Sequence, residues 1–537
     1  MSDGILNYSL DMLPRSAMSR RPERRQTPSS IWRRAALPAL VAVTLGGCSL
    51  APHYERPDAP IPQQYPNADA VSNGSQRSAA ATVATAGVSA DLGWADFFTD
   101  ERLKSLIRLA LANNRDMRIA VQRVEEARAQ YGVAESDQFP TIGLGANGQV
   151  TRSPENMRMG GADSPSVARS YMAGIGLTAF ELDFFGRVRN LSEAAFQQYL
   201  ATAQARRTVH INLVAQVAEA YFRLRTAQDL EALMRRTIES RKNTLDLVQA
   251  RYDAGIASAL DLNQARGQLD TVRADIAGIR RSETQALNAL QLLLGIQLPD
   301  TLPKPGTFSR DQVLAAIPVG LPSELLERRP DIMGAENALM GANANVGAAR
   351  AAFFPNISIT GLLGFASPQL GGLFGSGQRY WQFAPQIQVP IFAGGVQGNL
   401  EVAEARKNIA VSEYEKAIQT AFREVADALA GEATYAEQLD ALRAVEASAA
   451  ESLKLAQLRY ETGVDSFLQV QNAEVTLYSV QQSFLQMGMD SLMNRVELYK
   501  ALGGGWLEDT AAEVSSTEAG RVQGEVPGAD PEAITAK

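Results

Sequence analysis

RVRNLSEAAFQQYLATAQARRTVHINLVAQVAEAYFRLRTAQDLEALMRRTIESRKNTLDLVQARYDAG, residues 187–255, decides how this 537-residue chain folds. From Arg187 to Ala254 it runs for 68 residues without a glycine or a proline, and at 1.5 Å per residue that is about 100 Å of unbroken α-helix. No compact domain holds so long a helix. Leu213, Val217, Ala220, Leu224 and Ala227 step alternately by four and by three, the seam of a coiled coil whose small members allow close approach. The run stops at Gly255, where glycine suits a left-handed turn, and a partner helix returns to Gly295. The unit is a helical hairpin with its tip about 100 Å from its base.

The stretch from Phe184 to Gly295 recurs without a gap 208 positions later, from Phe392 to Gly503. Gly186 matches Gly394, Val188 matches Val396, Val217 matches Val425, Leu260 matches Leu468, and RYDAG (Arg251 to Gly255) matches RYETG (Arg459 to Gly463). The second long helix is expected from Asn399 to Thr462, interrupted only by Gly431. An upstream part repeats at offset 215, pairing Asp116 with Asp331, Gly132 with Gly347 and Phe139-Pro140 with Phe354-Pro355. The change of offset places seven extra residues between Pro140 and Phe184, read as a longer loop between two strands. One helix is expected from Asp100 to Asp137 and another from Pro330, each stopped by its Phe-Pro step. Residues 297–330, with six prolines, form the connector.

After each Phe-Pro step the hydrophobic period changes from helical to two. In residues 141–151, Ile142, Leu144, Ala146 and Val150 alternate with Thr141, Gly143, Gly145, Asn147 and Gln149; later, Trp381, Phe383, Ile387, Val389 and Ile391 alternate with Gln382, Ala384, Gln386 and Gln388. Residues 171–179 and 356–365 alternate similarly. Strands of about ten residues are long enough to cross a bilayer at a tilt; a soluble sandwich has the same alternation. Four strands cannot close a transmembrane barrel, which needs about eight, so a spanning protein of this kind must oligomerise. Two copies would supply eight strands and three would supply twelve.

The N-terminus reads as a secretory address: Arg33 and Arg34, the apolar run AALPALVAV, then LGGC ending at Cys48, the only cysteine. Small residues before a lone cysteine resemble a lipobox, with the thiol taking a diacylglyceryl group. Ser49 in place of an aspartate favours the outer membrane, by resemblance to bacterial lipoprotein sorting. Met18 is an alternative start. Removing residues 1–47 leaves 44 basic against 56 acidic residues, a balance of −12, which disfavours nucleic acid as a partner. No later stretch approaches eighteen consecutive apolar residues, so no helix is expected to cross a membrane. The expected division is a lipoprotein signal over 1–47, an extended segment and linker over 48–98, repeats over 99–318 and 319–507, and a disordered acidic tail over 508–537.

There is little from which to build an active site. His53 and His210 are the only histidines, so neither a zinc-binding HExxH nor a Ser/His/Asp triad can be drawn. Gly143, Gly145 and Gly148 spell GxGxxG, but inside a strand pattern with no following helix to receive a phosphate. No enzymatic activity, metal or cofactor is expected. The candidate functional residues lie at the hairpin tips, where Arg251, Tyr252, Gly255 and Ser258 recur as Arg459, Tyr460, Gly463 and Ser466. Arranged in a ring, the tips would form a constriction and a docking surface, made acidic by Asp253, Asp261, Glu461 and Asp465; alternatively the tyrosines and arginines only staple the turns.

Together LGGCSLAPHYERP, RVEEARAQYGVAESDQFP, FELDFFGRVR, IPVGLPSELLERRPDI, FFPNISITG, the two RYxxG tips and ELYKALGGGW resemble the outer-membrane factor family, the TolC-like exit ducts, over roughly residues 45–507. The likeness is to the lipoprotein branch that serves resistance-nodulation-division efflux pumps. The resemblance implies an α+β membrane protein, internally duplicated: a homotrimer closing a twelve-stranded transmembrane β-barrel, four strands per chain, continued by a long periplasmic α-helical barrel. It implies a periplasmic adaptor and an inner-membrane pump as partners, outer-membrane lipid around the barrel, and drugs passing out through the duct. In the family a leucine and an acid one turn later line the closed aperture; the matching residues here are Leu468 and Asn472, so the acid is missing. Type I protein secretion, metal export and a surface coiled-coil spacer are the alternatives.

Overall fold

The computed structural model describes residues 49–62, 64–66, 92–154, 157, 165–304, 312–314 and 322–510. The leader, Cys48, most of the linker, much of the long strand loop, the repeat boundary at 318 and the tail after 510 lie outside these residues.

Each repeat sets helices around two strands. The first holds α1 (Trp94–Phe97), α2 (Glu101–Asn113), α3 (Arg115–Ser136), β1 (Ile142–Arg152), β2 (Val167–Glu181), α4 (Arg187–Asp253) and α5 (Ala259–Leu294). The second holds α6 (Leu325–Arg328), α7 (Pro330–Ala351), β3 (Asn356–Ser367), β4 (Arg379–Gln388), α8 (Gly394–Glu461) and α9 (Phe467–Ala501). The chain folds α4 against α5 and α8 against α9 as two long hairpins.

Three boundaries differ from the sequence expectation. The helix expected from Asp100 to Asp137 is two helices, because the Asn114 side chain accepts from the Met117 N–H at 2.9 Å and starts a new helix. Asp100 caps the first of them in the same way. The second long helix starts at Gly394 rather than Asn399: glycines cost a helix only about 1 kcal/mol each, and the 68-residue helix absorbs that. The strand at 171–179 extends from Val167 to Glu181 and bulges between Leu177 and Phe180, with Ala179 at φ 44°.

The sheet is wholly antiparallel, in the order β1-β2-β3-β4, so β1 and β4 are its edges. Its register aligns Leu144, Ile175, Leu363 and Trp381 across all four strands, and these side chains are 85%, 55%, 68% and 74% exposed. Ile142, Phe383 and Ile387 continue this apolar face. The opposite face carries Gly143, Asn147, Gln149, Ser358, Thr360, Gln382 and Gln386, as the period-two reading requires. Val389 and Ile391 alternate in sequence but follow the end of β4.

Two clusters of buried side chains hold the middle of the helices. Phe97, Phe98, Tyr221, Phe222, Leu290 and Tyr499 form the first, with Phe97 stacked on Tyr499 at 4.1 Å. Tyr65, Ile332, Tyr414, Val425 and Leu498 form the second, with Tyr65 stacked on Phe422 at 5.3 Å. Val217 and Val425, matched by the 208-residue offset, are both fully buried, one in each cluster. The seam residues Leu213, Ala220, Leu224 and Ala227 are buried as well. Among the described residues, no helix is long and apolar enough to cross a membrane.

Residues 92–98 and 508–510 correct two expectations. The end of the supposed extended segment is the buried turn α1, and Glu508 does not begin a disordered tail. The Trp94 and Ala95 N–H groups donate to the carbonyls of Leu507 and Glu508, both at 2.9 Å, and Arg108 Nε donates to the Glu508 carboxylate at 2.7 Å. Trp94, Phe97 and Phe98 are buried in the first cluster, and residues 507–510 are bonded alongside them.

Candidate functional site at the hairpin tips

Each tip is built by backbone bonds that glycine permits. At the first, the Gly255 N–H donates to the Tyr252 carbonyl at 2.9 Å and the Ile256 N–H to the Arg251 carbonyl at 2.8 Å; at the second, Gly463 and Val464 repeat this on Tyr460 and Arg459 at 3.1 Å and 2.9 Å. Both glycines are left-handed, at φ 72° and 77°. This pair of bonds satisfies the last carbonyls of a helix and reverses the chain. Ser258 then caps α5: its hydroxyl accepts from the Asp261 N–H at 3.1 Å while Asp261 accepts from the Ser258 N–H at 3.0 Å. Ser466 occupies the matching position on α9 without a side-chain cap.

The side chains break the symmetry of the motif. Tyr252 is 41% exposed, whereas Tyr460 is 7% exposed and packs with Val248, Leu262, Ala265, Phe467 and Val470 from both hairpins. Burial raises the Tyr460 pKa. Among the described residues, its hydroxyl finds no hydrogen-bond partner. Arg251 crosses between the hairpins: Nη1 donates to the Tyr460 carbonyl at 3.1 Å, and the guanidinium lies 4.6 Å from the centre of the Tyr460 ring. Arg459 instead stays on its own hairpin and pairs with Asp465 at 2.5 Å.

The four acids expected at the mouth are held differently. Asp261 is a helix cap and Asp465 is paired; the Arg459 hydrogen bond holds the Asp465 carboxyl below the usual range. Asp253 accepts from Gln249 Nε2 at 2.8 Å, and Glu461 is exposed. Leu468, Ile256, Leu260 and Val464 are exposed as well, so the tips carry apolar side chains beside the polar ones. Asn472 is exposed, and its backbone carbonyl accepts from Thr476 Oγ1 at 2.8 Å.

Further up the hairpins lies a group that the tip motifs did not reveal. Arg241 is buried on α4 and Glu474 on α9. The Thr244 hydroxyl donates to Glu474 at 3.0 Å, Arg241 Nη1 to the Gln268 carbonyl at 2.6 Å, and the Tyr478 hydroxyl to Asp275 at 3.1 Å. The signal is legible in hindsight. Arg241 falls one heptad from buried Met234 and from buried Val248, and Glu474 falls one heptad after buried Phe467. A charge at such a position is a polar layer inside a coiled coil.

The long hairpins and the short sheet with one apolar face coincide with those of known proteins. Residues 106–296 and 321–504 match the family model described as outer membrane efflux protein. The chain belongs to the outer membrane efflux protein family. It is 43% identical over 473 residues to the probable efflux pump outer membrane protein TtgC of Pseudomonas putida, covering 88% of this chain and 96% of that one. It is 44% identical over 472 residues to the outer membrane protein OprJ of Pseudomonas aeruginosa, covering 87% and 95%. The crystal structure of the open state of the MtrE outer membrane channel of Neisseria gonorrhoeae superposes with a TM-score of 0.76 at 37% identity, covering 86% of this chain and all of that one.

Proposed function

We propose that this chain is the outer-membrane exit duct of a tripartite efflux pump, conducting drugs or solvents passively from the periplasm to the exterior. The observation that carries the reading is the sheet: one face apolar from edge to edge, the other small and polar, with hairpins about 100 Å long below it. An edge strand in lipid leaves backbone groups unpaired at several kcal/mol. β4 of one chain therefore pairs with β1 of the next, and three chains complete a twelve-stranded barrel with the polar face inward. Phe139, Phe184, Phe353, Phe354 and Phe392, all exposed at the hairpin ends of the strands, meet the inner boundary of the bilayer.

The N-terminal strap supports a lipid anchor at Cys48. The Ser49 hydroxyl donates to Asn190 at 2.8 Å near the start of α4, Asn343 Nδ2 donates to the Pro52 carbonyl at 2.7 Å, and Ala51 lies against Gly347 near the end of α7. Residue 49 is thereby fixed at the base of the sheet, where an acyl chain on residue 48 enters the bilayer. Arg56 and Tyr54 secure the strap on the buried Glu336 carboxylate. Cys48→Ala is expected to abolish incorporation of labelled palmitate while the protein still forms trimers; retained label places the lipid elsewhere.

Energy comes from an inner-membrane pump and reaches the duct through a periplasmic adaptor that docks on the exposed tips. A Cβ added at Gly463 would meet nothing within 4 Å, so the main cost of a side chain there is the left-handed backbone, about 1–2 kcal/mol or more. Gly463→Val is expected to lower pump-dependent drug resistance towards that of a deletion strain with trimer abundance unchanged, and Gly463→Asn, which tolerates this conformation, to keep it. Equal resistance in all three strains refutes the tip as the docking site. Single-channel conductance in planar bilayers tests the duct itself.

A further inference from the structure

The polar layer between the hairpins has a property the tips lack. Resting on the duct reading above, we propose that Glu474 is a proton-binding site coupled to the packing of the hairpins: its carboxyl takes up a proton when they close on it and releases it when they part.

Among the described residues, Glu474 makes no ion pair. Glu474 is 6% exposed and accepts a hydrogen bond from the neutral Thr244 hydroxyl at 3.0 Å. The charge acting on it is that of Arg241 on α4, whose Nη1 is held by the Gln268 carbonyl and whose guanidinium lies 5.2 Å from the centre of the Tyr478 ring, with Nε buried and unpaired among the described residues. From α5 the titratable group in the layer is Asp275, held by the Tyr478 hydroxyl; Tyr478 itself lies one turn along α9 from Glu474. Apolar clusters close the layer on both sides: Val248, Leu262, Tyr460 and Phe467 towards the tips, and Met234, Val272 and Ile276 on the other. The layer sits about 15 Å inside the tips.

Desolvation outweighs both the Thr244 hydrogen bond and the Arg241 charge, and raises the Glu474 pKa. Packed hairpins therefore hold the proton more tightly than parted ones, in which water reaches the carboxyl. The stabilisation of the packed state is complete below the ordinary glutamate pKa and is lost as pH rises through the raised value. Acid shuts the duct, and the shift in the closed-to-open ratio is up to about tenfold for each pH unit separating the two pKa values.

The experiment is the conductance of the reconstituted protein in planar bilayers between about pH 5 and pH 8. The native protein is expected to conduct less in acid. Glu474→Gln keeps the Thr244 hydrogen bond and mimics the protonated acid, so it should show the low acid conductance at every pH. Arg241→Met removes the cation that lowers the Glu474 pKa and should move the midpoint to higher pH. A native conductance independent of pH, a Glu474→Gln variant with the native pH response, or an unmoved midpoint in Arg241→Met overturns the proposal. No conductance at any pH overturns the duct reading, and this inference with it.

Discussion

Gly364→Val is expected to remove the assembled protein from the outer membrane by at least about tenfold, since one or two kcal/mol already changes a folded population that much. Gly364 pairs with Gly174 across β2 and β3. A Cβ on Gly364 would lie 2.1 Å from the Ala173 carbonyl oxygen and 2.5 Å from the Gly174 Cα, both of them backbone atoms of the neighbouring strand. No rotamer relieves such a contact, so the strands must separate and break ladder bonds that lipid cannot replace. Gly361 is on the same strand, but its added Cβ would meet nothing closer than 3.8 Å. Gly361→Ala should therefore assemble normally. Fractionated outer membranes and heat-resistant oligomer bands on gels provide the comparison; a normally assembled Gly364→Val protein contradicts the observed β2–β3 packing.

Arg329→Ala is expected to destabilise the helical region by roughly 3 kcal/mol, at the low end for a broken buried pair because Asp331 and Glu424 keep some access to water. Arg329 is 7% exposed. It reaches Glu424 on α8 at 2.9 Å and donates to the Ala501 carbonyl, at the end of α9, at 2.8 Å. With Asp331 it makes two bonds, at 3.0 Å and 2.6 Å. One guanidinium therefore ties the start of α7 to both helices of the second hairpin. Its loss strands two carboxylates and a carbonyl at once. Arg329→Lys, with one charge and no fork, should recover only part of the stability. Thermal loss of helical ellipticity in detergent measures all three, and an Arg329→Ala curve superimposable on the native one rules out the tie.

Family membership was legible in the sequence because it rests on residues whose reasons are local. The duplication, the residue run that contains no helix breaker, the left-handed glycines at both tips and the period-two strands each declare themselves within a few residues. Asn114 was missed since a helix cap competes with continued helix on nearly equal terms, and here the capped break won. The second long helix, expected from Asn399, begins at Gly394, because the long segment beyond outweighs the small helix cost of the glycines.

What the sequence determined by itself is the inventory: two long hairpins, four strands with one apolar face, and a tip motif used twice. Tertiary structure alone decided how the copies differ. Arg251 and Arg459 occupy matching positions, yet one crosses to the other hairpin and one pairs with its own Asp465. Tyr252 is exposed where Tyr460 is buried. Glu474 became a desolvated acid only when α4 and α5 closed over α9. Periodicity states which face of a helix is buried, but burial is a property of the facing element. Two repeats with the same period can thus meet unlike neighbours, and the side-chain chemistry follows the neighbour.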